Sequence, residues 1–392
     1  MVKRLLNKAI QIAGSCSKDG NPEIIEYAHS LVRNLTKMLL SEGVNLVTTV
    51  DKFAVANKKN KCGPAIIFYW DVLEEIYEYA KAYSFSKDTK NIAKVISTSK
   101  SLKQITTEIP PDKQKIWDAL CSNNIITVYT VPFGWNSGAI RRQIQEPFSD
   151  ALVIIGGGEG VEHLSYLYSS HGKTILPLDI PVGSSCRDGR GGASYLFQSF
   201  FSHPEKFIPN INEKTRTKST MFLYDKWKNK PEEYAKELTD FLTEVVIPQV
   251  FFVRLLNEEC GEYPAVENFF KNIVTPFVLD KGYGIKDMGK SKIKEGFLNV
   301  EIFKEINKSS IIIADMTGLR LNCFMEMGYA FGLNRKVILT AKKGTVCPFD
   351  PNQIPCFHWN TSSSDKELSE KLAVFWEQNI DRGSLVTLSE II

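Results

Sequence analysis

Residues 151–160 read ALVIIGGGEG, an apolar run of five residues that leads into a glycine-rich turn. Such a run is typical of a strand that is buried on both faces, as in a parallel sheet. The glycines would let backbone N–H groups approach a ligand, and the helix predicted over residues 161–170 would direct its N-terminus at an anion. The stretch therefore predicts a strand–turn–helix unit that binds phosphate, with tight strand–helix packing as the alternative explanation of the glycines.

Strand-like and helix-like segments alternate along the rest of the chain, which favours βαβ units and parallel sheets. Short apolar or β-rich runs predict strands over residues 9–13, 44–50, 125–129, 174–177, 250–255, 311–314 and 337–340. Helical periodicity predicts helices over residues 24–40, 71–83, 138–148, 232–246, 265–278, 301–307, 323–333 and 366–378. Residues 87–115, rich in Lys, Ser and Thr, are interpreted as a solvated excursion. The fold class expected is α/β, with two open parallel-sheet domains of Rossmann-like or flavodoxin-like type, residues 1–207 and 247–392, joined by a helical connector, residues 208–246.

The composition is that of a globular protein without a strong charge bias. The 392 residues are 43% hydrophobic and 24% charged, and 48 basic against 45 acidic residues leave a net charge of +3. So small a surplus gives no reason to expect nucleic-acid or membrane binding. The 8 cysteines form no CxxC pair, which favours reduced thiols, a cytoplasmic location and no metal site. Lys8 interrupts the apolar run near the N-terminus, so that run is interpreted as a first strand rather than a signal peptide.

Polar and glycine residues follow three of the predicted strands of the first half. Because parallel strands end at one edge of a sheet, these residues are expected to meet there. Two arginines precede the glycine strand on a predicted helix, where a guanidinium could bind phosphate with two hydrogen bonds; a solvated helix face is the alternative. The predicted nucleotide-binding residues are Gly14, Ser15, Thr49, Arg141, Arg142, Gly157, Gly158 and Gly160.

The first half resembles the SLOG superfamily, which includes the "lonely guy" phosphoribohydrolases and DprA-like proteins. The resemblance spans roughly residues 9–183 and rests on AIQIAGS, EGVNLVTT, GAIRRQIQEPFSDALVIIGGGEGVEH and GKTILPLDIPVG. Those hydrolases carry Pro-Gly-Gly-x-Gly-Thr-x-x-Glu, whereas here Gly156 replaces the proline, Val161 the threonine and Leu164 the glutamate. A site with phosphate contacts but without that carboxylate implies a sensor for a small nucleotide ligand rather than a hydrolase.

The second half carries its own candidate chemistry in residues 311–332, IIIADMTGLRLNCFMEMGYAFG. Asp315 follows the predicted strand and Glu326 lies about one turn inside the next helix, so both should face the carboxyl edge of the sheet. A carboxylate among Met, Tyr and Phe residues is poorly solvated, and it could stabilise or bond to the cationic anomeric carbon of a breaking N-glycosidic bond. Asp315 could hold a ribose hydroxyl or protonate the leaving base. The alternative is a structural ion pair of Glu326 with Arg320 or Arg335.

Residues 248–360 resemble the nucleoside 2-deoxyribosyltransferase-like group, which is related in fold to TIR domains. The family pattern Asp-x-Thr-Gly-x-x-x-Asn-x-x-x-Glu-x-Gly-x-Ala runs unbroken through this sequence. The resemblance implies that Glu326 is the catalytic carboxylate. Cys323-x-x-Glu326 also resembles the Cys-x-x-Glu of NAD-cleaving TIR domains, although Asn322, a plausible helix N-cap, replaces their tryptophan. The further residues implied to contact substrate are Asp315, Thr317, Gly318 and Asn322.

Two features of this resemblance leave their residues open. The aromatic residue that would hold the base is Phe251, Phe252 or Tyr263. Phe349 and Asp350 resemble a loop that closes over substrate, with an Asp-Pro turn as the alternative.

Together these patterns predict a nucleotide-gated N-glycosidase without a cofactor. It would self-associate and cleave NAD or a related nucleotide in antiviral defence, as the family resemblances imply. A nucleoside 2-deoxyribosyltransferase or hydrolase is one alternative, and a non-catalytic nucleotide-binding module is another.

Overall fold

The computed structural model describes residues 5–6, 8–17, 20–51, 66–183, 191–209, 213–223, 228–287, 298–333, 335–346 and 354–380. It confirms the predicted α/β class, because both sheets are open and all their strand pairs are parallel. The chain divides into two compact units, Met1–Val246 and Ile247–Ile392. Within the described ranges, no helix combines the length and the apolar character that a membrane span needs.

The first unit is built on a six-stranded sheet in the order β4-β3-β2-β1-β5-β6. The strand order changes direction between the first and fifth strands, which pair in register so that Ser15 lies opposite Gly156. A ligand crevice is expected at this point, outside the carboxyl ends of the two strands. The strands are β1 (Ala9–Ser15), β2 (Asn45–Thr48), β3 (Ala93–Thr98), β4 (Ile126–Val131), β5 (Ala151–Gly156) and β6 (Thr174–Leu178).

Nine helices accompany this sheet in the described part of the first unit. They are α1 (Pro22–Ser41), α2 (Tyr69–Ala82), α3 (Ser99–Ile105), α4 (Pro111–Ser122), α5 (Ser137–Gln145), α6 (Glu159–Ser170), α7 (Gly192–Ser202), α8 (Glu213–Leu223) and α9 (Pro231–Val245). Helix α9 lies in the predicted connector, yet it packs on α1 and buries Tyr234, Leu238 and Phe241 in the same core. This part of the predicted connector therefore belongs to the packed body of the first unit.

The interpretation of residues 87–115 as a solvated excursion is wrong for β3. This strand lies between β2 and β4, and five of its six residues are buried. Its polar side chains are satisfied locally: the Ser97 hydroxyl donates to the Val50 carbonyl, and the Thr98 oxygen accepts from the Ser101 amide at 3.0 Å. The Lys94 ammonium lies over the Phe148 ring, 4.5 Å from its centroid. These contacts let a Lys- and Ser-containing segment occupy an interior position.

The second unit has a five-stranded sheet in the order β11-β10-β9-β7-β8, the flavodoxin-like order. Its direction changes between the seventh and ninth strands, so a second crevice is expected there. Residues 284–286 and 356–359 form strands that the sequence patterns did not predict. The strands are β7 (Gln249–Val253), β8 (Gly284–Lys286), β9 (Ile311–Asp315), β10 (Lys336–Lys342) and β11 (Cys356–Trp359).

Helices cover both faces of this second sheet, which explains why its strands are apolar throughout. Phe251 packs in one core cluster and Phe252 in another. Trp359 stacks on Phe269 with ring centroids 4.5 Å apart and nearly parallel planes. The helices are α10 (Tyr263–Phe269), a π-helical turn (Phe270–Val274), α11 (Thr275–Asp280), α12 (Leu298–Lys308), α13 (Leu321–Gly332) and α14 (Asp365–Asn379).

Candidate functional site

The glycine-rich turn of the first unit lies at the carboxyl ends of β1 and β5. Gly156 and Gly157 adopt φ values of +59° and +78°, the left-handed region that favours glycine. The Gly157 amide donates to the Ser15 carbonyl at 2.8 Å. At Gly14, a Cβ atom would lie 1.8 Å from the Ile155 carbonyl oxygen, so no side chain fits between β1 and β5 there.

Two helices begin beside this turn. Gly158 precedes the first residue of α6, and Gly192, the first residue of α7, donates its amide to the Gly157 carbonyl at 2.8 Å. Because helix N-termini carry unsatisfied N–H groups and partial positive charge, the crevice at this edge favours an anion. The structure thus brings Gly14, Ser15, Gly157 and Gly158 together, as the sequence predicted.

The two predicted arginines lie on α5 and reach this edge by different contacts. Arg141 donates to the Thr49 hydroxyl at 3.3 Å, and its Nε is buried without a hydrogen-bond partner among the described residues. Burial lowers the pKa of Arg141, whereas the nearby Asp51 and Tyr69 act to raise it. A buried guanidinium nitrogen with no acceptor is costly, and an anionic ligand would supply the missing acceptor.

Arg142 connects α5 with the first turns of α6. Its Nε donates to His163 Nδ1 at 2.9 Å, and a Cβ atom at Gly160 would lie 3.4 Å from its guanidinium. Burial and the charge of Arg142 lower the pKa of His163, which fits a neutral imidazole that accepts this hydrogen bond. Leu164, which replaces the glutamate of the motif that the sequence resembles, is 2% exposed and packs in the core.

Glu326 is the half-buried carboxylate of α13 in the second unit. It has no hydrogen bond or ion pair with another residue that the structure describes, and Arg335 donates instead to the Asn307 carbonyl. Burial raises the pKa of Glu326 to about 7. The ion-pair alternative is therefore absent among the described contacts, and the carboxylate is poised to change its charge near neutral pH.

The raised pKa predicts that Glu326→Gln stabilises the protein at alkaline pH. Because the pKa of about 7 in the folded protein exceeds the ordinary value of 4.5, the folded state binds more protons and loses stability as pH rises through that interval. Glutamine has no such penalty, so the free energy of unfolding at pH 8 should increase by about 1–3 kcal/mol. Urea unfolding at pH 8 and pH 4 measures this gain, which should vanish at the lower pH. A variant no more stable than the wild type at pH 8 would contradict the raised pKa.

Asp315, the last residue of β9, is completely buried. Its carboxylate accepts hydrogen bonds from the Thr317 amide at 3.0 Å, the Thr340 hydroxyl at 2.7 Å and the Trp359 indole at 2.9 Å. Burial raises the pKa of Asp315, and the hydrogen bonds from Thr317, Thr340 and Trp359 act to lower it. With 0% exposure it offers no surface to a substrate in this structure. The contacts show that Asp315 holds the loop after β9 in place.

The loop after β9 adjoins the loop after β7. A Cβ atom at Gly318 would lie 3.7 Å from Leu255 and 3.9 Å from Cys260. Thr317 is buried, and its hydroxyl accepts from the Lys342 amide at 2.9 Å. Leu319 adopts φ +49°, a left-handed conformation that is strained for a residue with a branched side chain. The two loops therefore lie side by side at the switch point of the second sheet.

Two predictions for the second site do not fit the structure. Arg320, not Asn322, is the N-cap of α13, and Asn322 is exposed in its first turn. Phe252 is 3% exposed and packs edge-to-face on Phe270 with centroids 5.0 Å apart, so it is a core residue and presents no free ring to a base. Of the three aromatic candidates, Phe251 is also buried, and Tyr263 is partly exposed. Phe349 and Asp350 lie outside the described residues.

Arg254 is a buried cation that the sequence patterns did not single out. It follows β7 directly, donates to Glu267 at 2.6 Å and to Asp287 at 2.7 Å, and lies over the Phe270 ring. Burial lowers its pKa, but the hydrogen bonds and charges of Asp287 and Glu267 outweigh this and raise it. The sequence feature that could have identified Arg254 is an arginine that directly follows an apolar strand.

Among the described residues, no group of three or more His, Cys, Asp or Glu side chains is arranged to hold a metal ion.

Comparison with known proteins gives a family match to the first unit. The profile of the family described as "ATP nucleosidase Cap17-like, N-terminal" matches residues 5–232. Two curated relatives, each named ATP nucleosidase Cap17 and found in Escherichia coli strain KTE188 and in Escherichia coli, are 26% identical over 207 residues. The alignment covers 53% of this chain and 39% of each relative. The chain thus spans about two fifths of the length of these relatives, and the family match ends inside the first unit.

Proposed function

The chain belongs to the ATP nucleosidase Cap17-like N-terminal family, and we propose that it hydrolyses the N-glycosidic bond of a nucleotide. The activity in the relatives' name is that of proteins of which this chain matches 39%, so the role that we give to each unit is also our proposal. The first unit binds a signal nucleotide through its phosphates, and the second unit binds the substrate nucleotide and cleaves its N-glycosidic bond. The proposal includes a role in antiviral defence through loss of that nucleotide.

The observation that carries the catalytic proposal is the half-buried carboxylate of Glu326, which has no partner in the described part of the chain and a pKa of about 7. As the bond between the sugar carbon C1′ and the base nitrogen breaks, its electron pair leaves with the base, which takes up a proton. The ionised Glu326 carboxylate stabilises or bonds to the cationic C1′. A water molecule then adds its oxygen to C1′ and releases a proton, so the products are free base and a sugar phosphate.

Two kinds of group that can bind phosphate support nucleotide binding by the first unit. Arg141 offers a buried donor, and the turn at Gly157 and Gly158 offers two helix N-termini. Leu164 is buried and replaces the catalytic glutamate of the phosphoribohydrolases that the first half resembles. This arrangement favours binding of phosphates over hydrolysis in the first unit.

ATP is the first substrate to test, because the relatives' name specifies ATP, whereas the sequence patterns favoured NAD. Both compounds join a base to ribose by an N-glycosidic bond, so the same carboxylate chemistry serves either. Purified protein is incubated with ATP, with NAD, or with a deoxynucleoside plus a free base, each alone and with a second nucleotide present as a signal. Release of adenine from ATP supports the proposal; transfer of deoxyribose between bases without hydrolysis would indicate a transferase instead.

Arg141→Ala is expected to weaken nucleotide binding about 10- to 100-fold. The substitution removes charge-assisted hydrogen bonds to phosphate, which contribute about 1.5–3 kcal/mol. Calorimetric titration with ATP in a Glu326→Gln background avoids turnover during the measurement. Arg216→Ala, which removes an exposed arginine from α8, serves as the control and should leave affinity unchanged. Equal affinities of the Arg141→Ala and control proteins would argue against phosphate binding at this edge.

Activity is expected to rise with pH through about pH 7. The attacking carboxylate must be ionised, so kcat/KM should fall about tenfold for each pH unit below the Glu326 pKa of about 7. The phosphates of ATP titrate near pH 6, and ATP binding to Glu326→Gln protein over the same pH range corrects for this. A profile that instead falls above pH 7 would assign Glu326 the role of a general acid.

A further inference from the structure

Trp135 has an almost fully exposed side chain, which is unusual for so large an apolar residue. Its side chain is 98% exposed, and Phe133, two residues earlier, is 58% exposed. Tryptophan is largely buried in most folded proteins, because its indole contributes a large apolar area. Trp135 also has no ring contact or hydrogen bond with another described residue.

The loop that carries these two aromatic residues is held in place by several contacts. The Phe133 amide donates to the Ser99 hydroxyl at 3.2 Å, and the Lys100 ammonium lies 4.6 Å from the centroid of the Phe133 ring. The Ser137 amide donates to the Gly134 carbonyl at 3.2 Å, which joins the loop to the start of α5. The exposed aromatic residues are therefore presented on a fixed loop, a feature typical of binding surfaces.

This loop belongs to the same edge as the phosphate-binding groups. It connects the carboxyl end of β4 to α5, and α5 carries Arg141 and Arg142. Asn136 and one turn of α5, residues 137–140, separate the backbone of Trp135 from that of Arg141, a path of at most roughly 13 Å. The loop and the start of α5 thus lie at the carboxyl edge of the sheet, the edge at which the glycine turn also lies.

We propose that Trp135, supported by Phe133, is the base-stacking platform of the nucleotide site in the first unit. The ligand is a nucleotide whose phosphates contact Arg141 and the glycine turn while its base stacks on the indole. The inference deepens the proposed function and depends on its phosphate site. An indole face attracts any base by stacking, so Trp135 distinguishes a nucleotide from inorganic phosphate.

The test compares the affinities of ATP and inorganic triphosphate for Trp135→Ala protein, in the Glu326→Gln background. Without the indole, the base of ATP loses its stacking partner, which should weaken ATP binding about 5- to 100-fold. Binding of triphosphate should not change, because triphosphate has no base. Trp135→Phe should recover part of the lost ATP affinity. Tyr83→Ala, which truncates a ring that is 56% exposed at the end of α2, is the matched control and should bind both ligands normally.

The outcomes separate this inference from the phosphate site on which it depends. Base stacking is overturned if Trp135→Ala binds ATP as tightly as its parent, or if it loses affinity for ATP and triphosphate equally. In either case, weaker binding of both ligands by Arg141→Ala would still support the phosphate site. If Arg141→Ala binds both ligands as tightly as its parent, the phosphate site itself fails, and the inference fails with it.

Discussion

Replacement of Glu326 by glutamine is expected to reduce base release by about 10³-fold or more. Glutamine preserves the size of the side chain but removes the negative charge that stabilises or bonds to C1′. Adenine released from ATP, measured by chromatography over a range of enzyme concentrations, gives the ratio of the two rates. Because Glu326 has no partner among the described residues, the substitution breaks no ion pair and the fold should remain intact.

The control for Glu326→Gln is Glu305→Gln on the neighbouring helix α12. Glu305 is also half-buried and lies in the same unit. Its replacement changes the net charge by the same amount, and we expect activity within about twofold of the wild type. Full activity of the Glu326→Gln protein would indicate that the second unit does not catalyse the reaction. If Arg141→Ala were then inactive, the reaction would belong to the first unit.

Asp315→Ala is expected to destabilise the second unit by about 3–5 kcal/mol. The substitution leaves three donors without an acceptor: the Thr317 amide, the Thr340 hydroxyl and the Trp359 indole. Asp315→Asn should destabilise the second unit less, because one side-chain oxygen remains as an acceptor. Its amide NH2 group, however, would face hydrogen-bond donors instead of an acceptor. Amide hydrogen exchange along β9 and β10 measures the loss locally and avoids assuming two-state unfolding of a two-unit chain.

The control for Asp315 is Asp280→Ala, which removes an exposed carboxylate at the end of α11 in the same unit. Its exchange protection should match the wild type. The Asp315 variants also separate structure from chemistry. Normal protection with complete loss of activity would mean that Asp315 acts on the substrate, as the family resemblance implies. Loss of protection together with activity would support the positioning role that its buried contacts indicate.

The strongest patterns in the sequence correspond to the elements that carry both sites. The apolar run and glycines at residues 151–160 predicted β5, its turn and the start of α6, because local sequence is sufficient for a strand–turn–helix unit. The same holds for β9 and α13. Short strands such as β8 and β11 gave no comparable signal, because pairing with neighbours distant in sequence stabilises them. The interior position of β3 depends on a hydrogen bond that Ser97 donates and one that Thr98 accepts, and no composition rule reveals them.

The α/β class and the position of the glycine turn at a carboxyl edge follow from the sequence alone, because strand and helix periodicity are local properties, whereas the position of Glu326 at the second edge stays a prediction. The exposure of each side chain does not follow from it. Tertiary packing buries Asp315 under three donors, gives Glu326 a raised pKa and no partner among the residues that the structure describes, and places Phe252 in the core. Residues far away in the chain contribute to each of these outcomes through desolvation or hydrogen bonding, so only the folded structure could reveal them.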